Sequence, residues 1–317
     1  MKKQVRYWFA ALCGLVLSFS APAQPKLIGY LPLYNFQRPD ITAIPYSGLT
    51  HLNLAFIRTD SSGKFSAPAW IDSVIMLAHA AKVKVLASIG GGNAPAYYTQ
   101  LLSDEHRTHF VDELVGFIEF HQLDGIDVDL EGKLIDEHYT ALLDELSQRL
   151  HPQKKILSAA VATWLSPRIS DEALTKLDLV NIMSYDKTGP WTPGQAGPHS
   201  PYEMAEQDLH HWGAERKVAK KKLILGVPFY GYWFAKDSVR SMTYAAILAN
   251  FPGASLQDSV VTTDNTIIYY NGAATIRRKT LLALQKAGGI MVWQLLQDAD
   301  NDASLLKLIK GTMDKQR

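Results

Sequence analysis

Leu123-Asp124-Gly125-Ile126-Asp127-Val128-Asp129-Leu130-Glu131 is the stretch from which the rest of this sequence is read. Side chains alternate across a β-strand, so Asp127, Asp129 and Glu131 share one face while Ile126, Val128 and Leu130 share the other. Aspartate is depleted in strands, and a strand that only packs has no reason to carry this pattern. In a barrel the apolar set meets the surrounding helices and the acidic set points inward. Desolvation and mutual repulsion oppose full ionisation there, so the spacing predicts at least one raised pKa and a shared proton.

On either side the chain alternates between short apolar runs and helical patterns. Strand-like runs occur at 26–31, 50–57, 83–89, 125–130, 155–161, 179–183, 223–229 and 289–293. Most carry little polar alternation, as expected of parallel strands buried on both faces. Before the acidic strand, Phe110, Val111, Leu114, Phe117 and Ile118 recur at helical spacing. Ser103 is the expected N-cap of that helix, with Asp104 and Glu105 in its first turn. Tyr139, Leu142, Leu143, Leu146 and Leu150 form a second such stripe. Strand runs each followed by a helical pattern predict an α/β fold, a (β/α)8 TIM barrel. A doubly wound sheet is the rival, but its Gly-rich phosphate turn is missing. The longest connection, 231–275, holds β-like pieces at 260–262 and 266–270. It reads as a small, reduced insertion between strands seven and eight, a hairpin rather than a second domain.

The balance of 32 Lys+Arg against 31 Asp+Glu leaves no basic footprint for nucleic acid or anionic lipid. With 47% hydrophobic and 20% charged residues the chain is ordinary globular material. Barrels of about 250 residues form single domains, so residues 24–317 are expected to be one catalytic unit. Residues 1–23 read as a secretory signal. Lys2, Lys3 and Arg6 precede an uncharged apolar stretch, and Ala21-Pro22-Ala23 offers a cleavage site. The expected location is therefore secreted or periplasmic after cleavage near Ala23, with no membrane span in the mature form. Cys13, the single cysteine, leaves with that segment, so a large apolar core rather than disulfides must hold the fold.

Two chemistries suit the acidic strand. Asp and Glu can gather a hard cation such as Mg²⁺ or Ca²⁺, as in metal-dependent nucleotide-sugar transferases. Against this, no His or further acidic cluster stands nearby. Alternatively, Glu131 ends the strand at the C-terminal mouth, where barrel active sites lie, and a partly protonated acid there can donate to a glycosidic oxygen.

Asp124-x-x-Asp127-x-Asp129-x-Glu131 resembles the D-x-x-D-x-D-x-E signature of glycoside hydrolase family 18, the chitinases and endo-β-N-acetylglucosaminidases. Ser88-Ile89-Gly90-Gly91 is similar to the family's S-x-G-G on the third strand, and Met183-Ser184-Tyr185-Asp186 to its M-x-Y-D on the sixth. Gly288-Gly289-Ile290-Met291-Val292-Trp293 resembles the eighth-strand segment that ends in a floor tryptophan. The resemblance implies a retaining, substrate-assisted hydrolase without cofactor or metal, acting on an N-acetylglucosamine-containing oligo- or polysaccharide. It makes Glu131 the general acid and then base, and Asp129 the group that orients the sugar's acetamido arm. Asp127 shares a proton with Asp129, Ser88 supports them, and Tyr185 binds the acetamido oxygen. Trp293 forms the floor, and Gly91, Met183 and Asp186 belong to the substrate site. Tyr30 and Tyr230 end the first and seventh strands and are expected to line the same mouth, with Phe56 beneath. Trp164, Trp191 and Trp233 are candidate sugar platforms, whereas His199, His210 and His211 show no ligand spacing. A chitinase is the simplest reading. An endo-β-N-acetylglucosaminidase acting on N-glycan cores and an inactive glycan-binding barrel are the alternatives.

Overall fold

A computed structural model describes residues 24–33, 39–192 and 194–316; the expected signal segment, 1–23, and Cys13 lie outside these described residues. Eight parallel strands close into a barrel: β1 (Lys26–Pro32), β2 (His51–Ala55), β3 (Lys84–Gly90), β4 (Gly125–Asp129), β5 (Ile156–Val161), β6 (Leu179–Ile182), β7 (Leu223–Pro228) and β8 (Gly289–Trp293). Each strand pairs with its neighbours in sequence, and β8 closes on β1. The helices around the barrel include α1 (Ile71–Ala80), α2 (Arg107–Phe120), α3 (Tyr139–Leu150), α4 (Asp171–Lys176), α5 (Tyr202–His210), α6 (Ala273–Lys286) and α7 (Leu305–Asp314). Among the described residues no helix is long and apolar enough to cross a membrane.

Strand alternation divides the apolar residues into two cores. Ile126, Val128 and Leu130 pack outward with Phe110, Leu114, Ile118, Leu142 and Leu146 in one cluster between barrel and helices. Ile28, Tyr30, Ala55, Leu179, Tyr185, Ile224 and Met291 form a smaller cluster inside the barrel. Each large apolar side chain so buried contributes about 1.5–3 kcal/mol, whereas an ion taken out of water costs several kcal/mol. The outer core therefore supplies the stability that inward carboxylates consume.

The sequence reading needs three corrections. Helix α2 begins at Arg107, not after Ser103. The Ser103 hydroxyl donates instead to Gln100 O at 2.8 Å, and Asp104 accepts from Arg107 at 2.6 Å. A helix does not follow every strand either: between β1 and β2 the described residues hold only a 3₁₀ turn, Tyr46–Gly48. The seventh connection is also more than a hairpin. Ser259–Val261 does pair with Ile267–Tyr269, but Tyr230–Phe234 and Val239–Thr243 extend this to a four-stranded antiparallel sheet, followed by a helix at Tyr244–Asn250. Exposed Arg240 and Ser241 concealed the outer strand.

Asp124, the first acid of the quoted stretch, faces away from the barrel interior. It accepts hydrogen bonds from Lys84 Nζ (2.7 Å), His79 Nε2 (2.9 Å) and Val85 N (2.9 Å), tying α1, β3 and β4 together at the N-terminal end of the barrel. Burial alone raises its pKa, but these donors outweigh it and hold the carboxyl below the usual range. Its contribution is thus present above the ordinary carboxylate pKa of about 3.9 and is lost as pH falls through the depressed value. Asp124→Ala is expected to cost about 1–3 kcal/mol in urea unfolding at pH 7, a loss that shrinks at pH 3. An unchanged midpoint at pH 7 would remove this role.

Candidate active site

Asp127 and Asp129 lie on one face of β4, and Glu131, two residues past the strand's end rather than on it, extends that line toward the C-terminal mouth in extended backbone, at increasing exposure. Asp127 is fully buried, Asp129 is 4% exposed, and Glu131 opens into a cavity. Asp127 lies beside Ser88 on β3 and Ser158 on β5 in the parallel register. Four groups donate to it: Tyr30 OH (2.8 Å) and Ser88 Oγ (2.8 Å) to Oδ2, and Ser158 Oγ (2.6 Å) and Asn181 Nδ2 (2.9 Å) to Oδ1. Those donors fill the acceptor positions of an ionised carboxylate and leave none for a cation.

Burial raises Asp127 above the ordinary carboxylate range, and its hydrogen bonds offset only part of that rise. Burial pushes Asp129 well above the ordinary range; the charges of Glu131 and then Asp127 add to this. Asp129 has no such donors, and its Oδ1 is buried without a partner. Of this pair the proton therefore sits on Asp129. Glu131 is raised too, by burial first and then by Asp186. An acid held up in this way stays protonated at pH values where a free glutamate is ionised.

The glycines after β3 shape the space around these groups. Gly91 has φ +83°, a conformation that L side chains rarely adopt, and a Cβ there would lie 2.3 Å from the Phe56 ring. Its N–H donates to Asp129 O at 2.6 Å. A Cβ on Gly92 would come within 3.3 Å of Glu131 Oε1.

Asp186 braces the opposite rim. It accepts from Tyr230 OH and from Tyr232 OH at 3.2 Å, and His199 Nδ1 lies 3.4 Å from it. Tyr185 is mostly buried beside Asp129; its hydroxyl contacts Met291 Sδ at 4.0 Å, a weak acceptor that leaves it available to a ligand. Glu131, Met183, Tyr185, Asp186 and Lys187 line one cavity of about 710 Å³ with Thr163, Met204, Gln207 and Asp208. Trp164 and Trp191, 70% and 54% exposed, flank it. Trp293 is not among the residues lining this cavity; it lies partly buried against the inner cluster of Tyr30, Tyr185 and Met291, stacked on Phe56 (5.8 Å, 28°) and edge-on to Tyr30 (5.5 Å).

A profile of the glycosyl hydrolases family 18 matches residues 26–298, most of the chain. The chain belongs to that family. Among solved structures it is similar to the GH18 chitinase ChiB from Flavobacterium johnsoniae, with 34% identity and a TM-score of 0.85 over 92% of this chain and 95% of that one. A chitinase from Bacteroides thetaiotaomicron gives 29%, 0.79, 92% and 97%. A chitinase-like effector of Moniliophthora roreri is 26% identical over 74% of this chain and 67% of its own length. Of other curated relatives the chain spans only 12% to 59%.

Several residues of this family 18 barrel sit differently from the sequence reading. Tyr30 does not line the mouth. Strand β1 runs on to Pro32, so Tyr30 lies deeper, 1% exposed, with its hydroxyl on Asp127. Tyr230 begins the inserted sheet and is 5% exposed, with its hydroxyl on Asp186. Trp233 is partly buried in that sheet and bonds to Thr266 at 2.6 Å, whereas Trp164 and Trp191 stay open to solvent. His199 is a core histidine; His210 and His211 lie by Glu215.

Sequence reasoning missed Ser158 and Asn181, although polar residues at inward positions of apolar strand runs were the available signal. Met204, Gln207 and Asp208 come from α5, and no pattern in the chain announces them. Asn181→Leu is expected to lower stability by about 1–3 kcal/mol. Loss of a donor raises Asp127 further, so the destabilisation should be larger at pH 8 than at pH 5. A loss independent of pH would mean that Asp127 does not change its charge between pH 5 and pH 8.

Proposed function

We propose that the protein is a retaining, metal-independent hydrolase that cleaves β-1,4 bonds next to N-acetylglucosamine, most simply an exported chitinase. The observation that carries this reading is Glu131 facing the cavity with its pKa raised, above a buried Asp129 whose oxygen has no partner. Glu131 gives its proton to the leaving oxygen as the glycosidic bond breaks. The sugar's own acetamido carbonyl attacks the anomeric carbon from the opposite face and forms an oxazolinium ion. Asp129 and Tyr185 hold that amide and its developing charge, acting where little water screens them. Glu131, now a carboxylate, takes a proton from the incoming water, which opens the ring with a second inversion and overall retention. Trp293 supplies an apolar floor.

The exposed rings of Trp164 and Trp191 beside the cavity favour a linear chain of sugars, since each ring offers a stacking face to one residue of an oligomer. Mass spectrometry of products from a mixed chitooligosaccharide and glycopeptide digest tests this choice. Cleavage of the oligomer is expected; cleavage confined to the N-glycan core would assign an endo-β-N-acetylglucosaminidase. Binding without cleavage would leave a lectin-like barrel.

Glu131→Gln should reduce kcat by about 10²–10⁴-fold or more, and near wild-type turnover would end its assignment as the acid. An oligomer lacking N-acetyl groups should scarcely react, and EDTA should leave the rate unchanged. The raised pKa of Glu131 places the alkaline limb of kcat/KM above the ordinary glutamate value of about 4.3.

A further inference from the structure

One buried cation has no part in this chemistry. Lys279 on α6 is completely buried and forms no ion pair among the described residues. Its ammonium donates to three neutral acceptors: Ser200 O (2.6 Å), Ser200 Oγ (2.7 Å) and Asn271 Oδ1 (2.8 Å). Burial lowers its pKa to about 7, opposed by the fields of Asp258, Asp208 and Glu203. A methionine would fill the same space without that desolvation cost, but only –NH₃⁺ offers three donors to three oxygens.

The clamp acts on a short segment with two faces. The Ser200 hydroxyl donates a hydrogen bond to Ser184 O at 2.6 Å, two residues before Asp186, and Asn271 Nδ2 donates to Ser200 O at 2.9 Å. The neighbouring His199 is also completely buried. Its Nε2 donates to Tyr230 O at 3.2 Å, and its ring packs against Tyr230 and Tyr232 at 5.0 and 5.1 Å. Nδ1 has no ordinary hydrogen bond and faces Asp186 Oδ1 at 3.4 Å.

We propose that Lys279 is a positioning residue: by clamping Ser200 it holds His199 behind Tyr230 and Tyr232, whose hydroxyls keep the Asp186 carboxylate beside Glu131. The titratable groups around Asp186 are Glu131, His199, Tyr185, Tyr230 and Tyr232. Because the field of Asp186 raises Glu131, releasing the clamp lets the acid ionise at lower pH.

The kinetic arm of the test rests on the function proposed above; a spectroscopic arm does not. Lys279→Met and Ser200→Ala are compared with the full-length wild type. The alkaline limb of kcat/KM on a chitooligosaccharide is expected to move down by roughly 0.5–1 pH unit in both. The ring ¹⁵N signals of His199, assigned with His199→Gln, should shift in both. Lys279→Met should add nothing to the pH profile of Asp186→Asn, because both act through one group. An unmoved limb and unmoved His199 signals, with only a lower Tm, would reduce Lys279 to a structural role. So would additivity with Asp186→Asn. A wild type that hydrolyses neither substrate sinks the proposed function, and the His199 signals alone then decide for Lys279. Ser200→Ala leaves the cation in place, so it reads the clamp even where Lys279→Met fails to fold.

Discussion

A carboxylate at the centre of an eight-stranded barrel is the constraint around which this molecule is arranged. Taking Asp127 out of water costs several kcal/mol unless its oxygens are met, and they are met by donors on β1, β3, β5 and β6. With its acceptor positions filled, Asp127 is the ionised member of the pair. That places the shared proton on Asp129, while burial and then the charge of Asp186 keep Glu131 an acid. Three carboxyl groups within five residues thus divide into one ionised and two protonated, set by depth and by partners.

How much of this was legible follows from what alternation encodes. Parity along a strand says which way a side chain points, so the inward acids and the outward Ile126, Val128 and Leu130 could be read from a single run. Runs of apolar residues located the barrel strands for the same reason. Parity says nothing of height. Tyr30 points inward as its spacing demands, but its level relative to Asp127 depends on the stagger between strands. That stagger is a property of the closed barrel, not of any one segment. The donors Ser158 and Asn181 become meaningful only once β4 to β6 are aligned side by side.

The insertion was underestimated for a different reason. The strand at Val239–Thr243 is partly exposed, so its residues need not be apolar, and only pairing with Tyr230–Phe234 makes it a strand at all. Yet this sheet contributes Tyr230 and Tyr232, the hydroxyls that hold Asp186. One wall of the site is therefore built from the part of the chain with the weakest local signal.

The four donors on Asp127 have an evolutionary corollary. Because they come from separate strands, the same contacts that prepare the chemistry also lace the barrel together. Mutational drift cannot dismantle them cheaply even when hydrolysis is no longer selected. Glu131, at the rim and free of those contacts, is where a lineage abandoning catalysis can change first. A change in the deep polar ring is then felt first as lost folding, and a change at its outer edge as an altered site on an intact barrel.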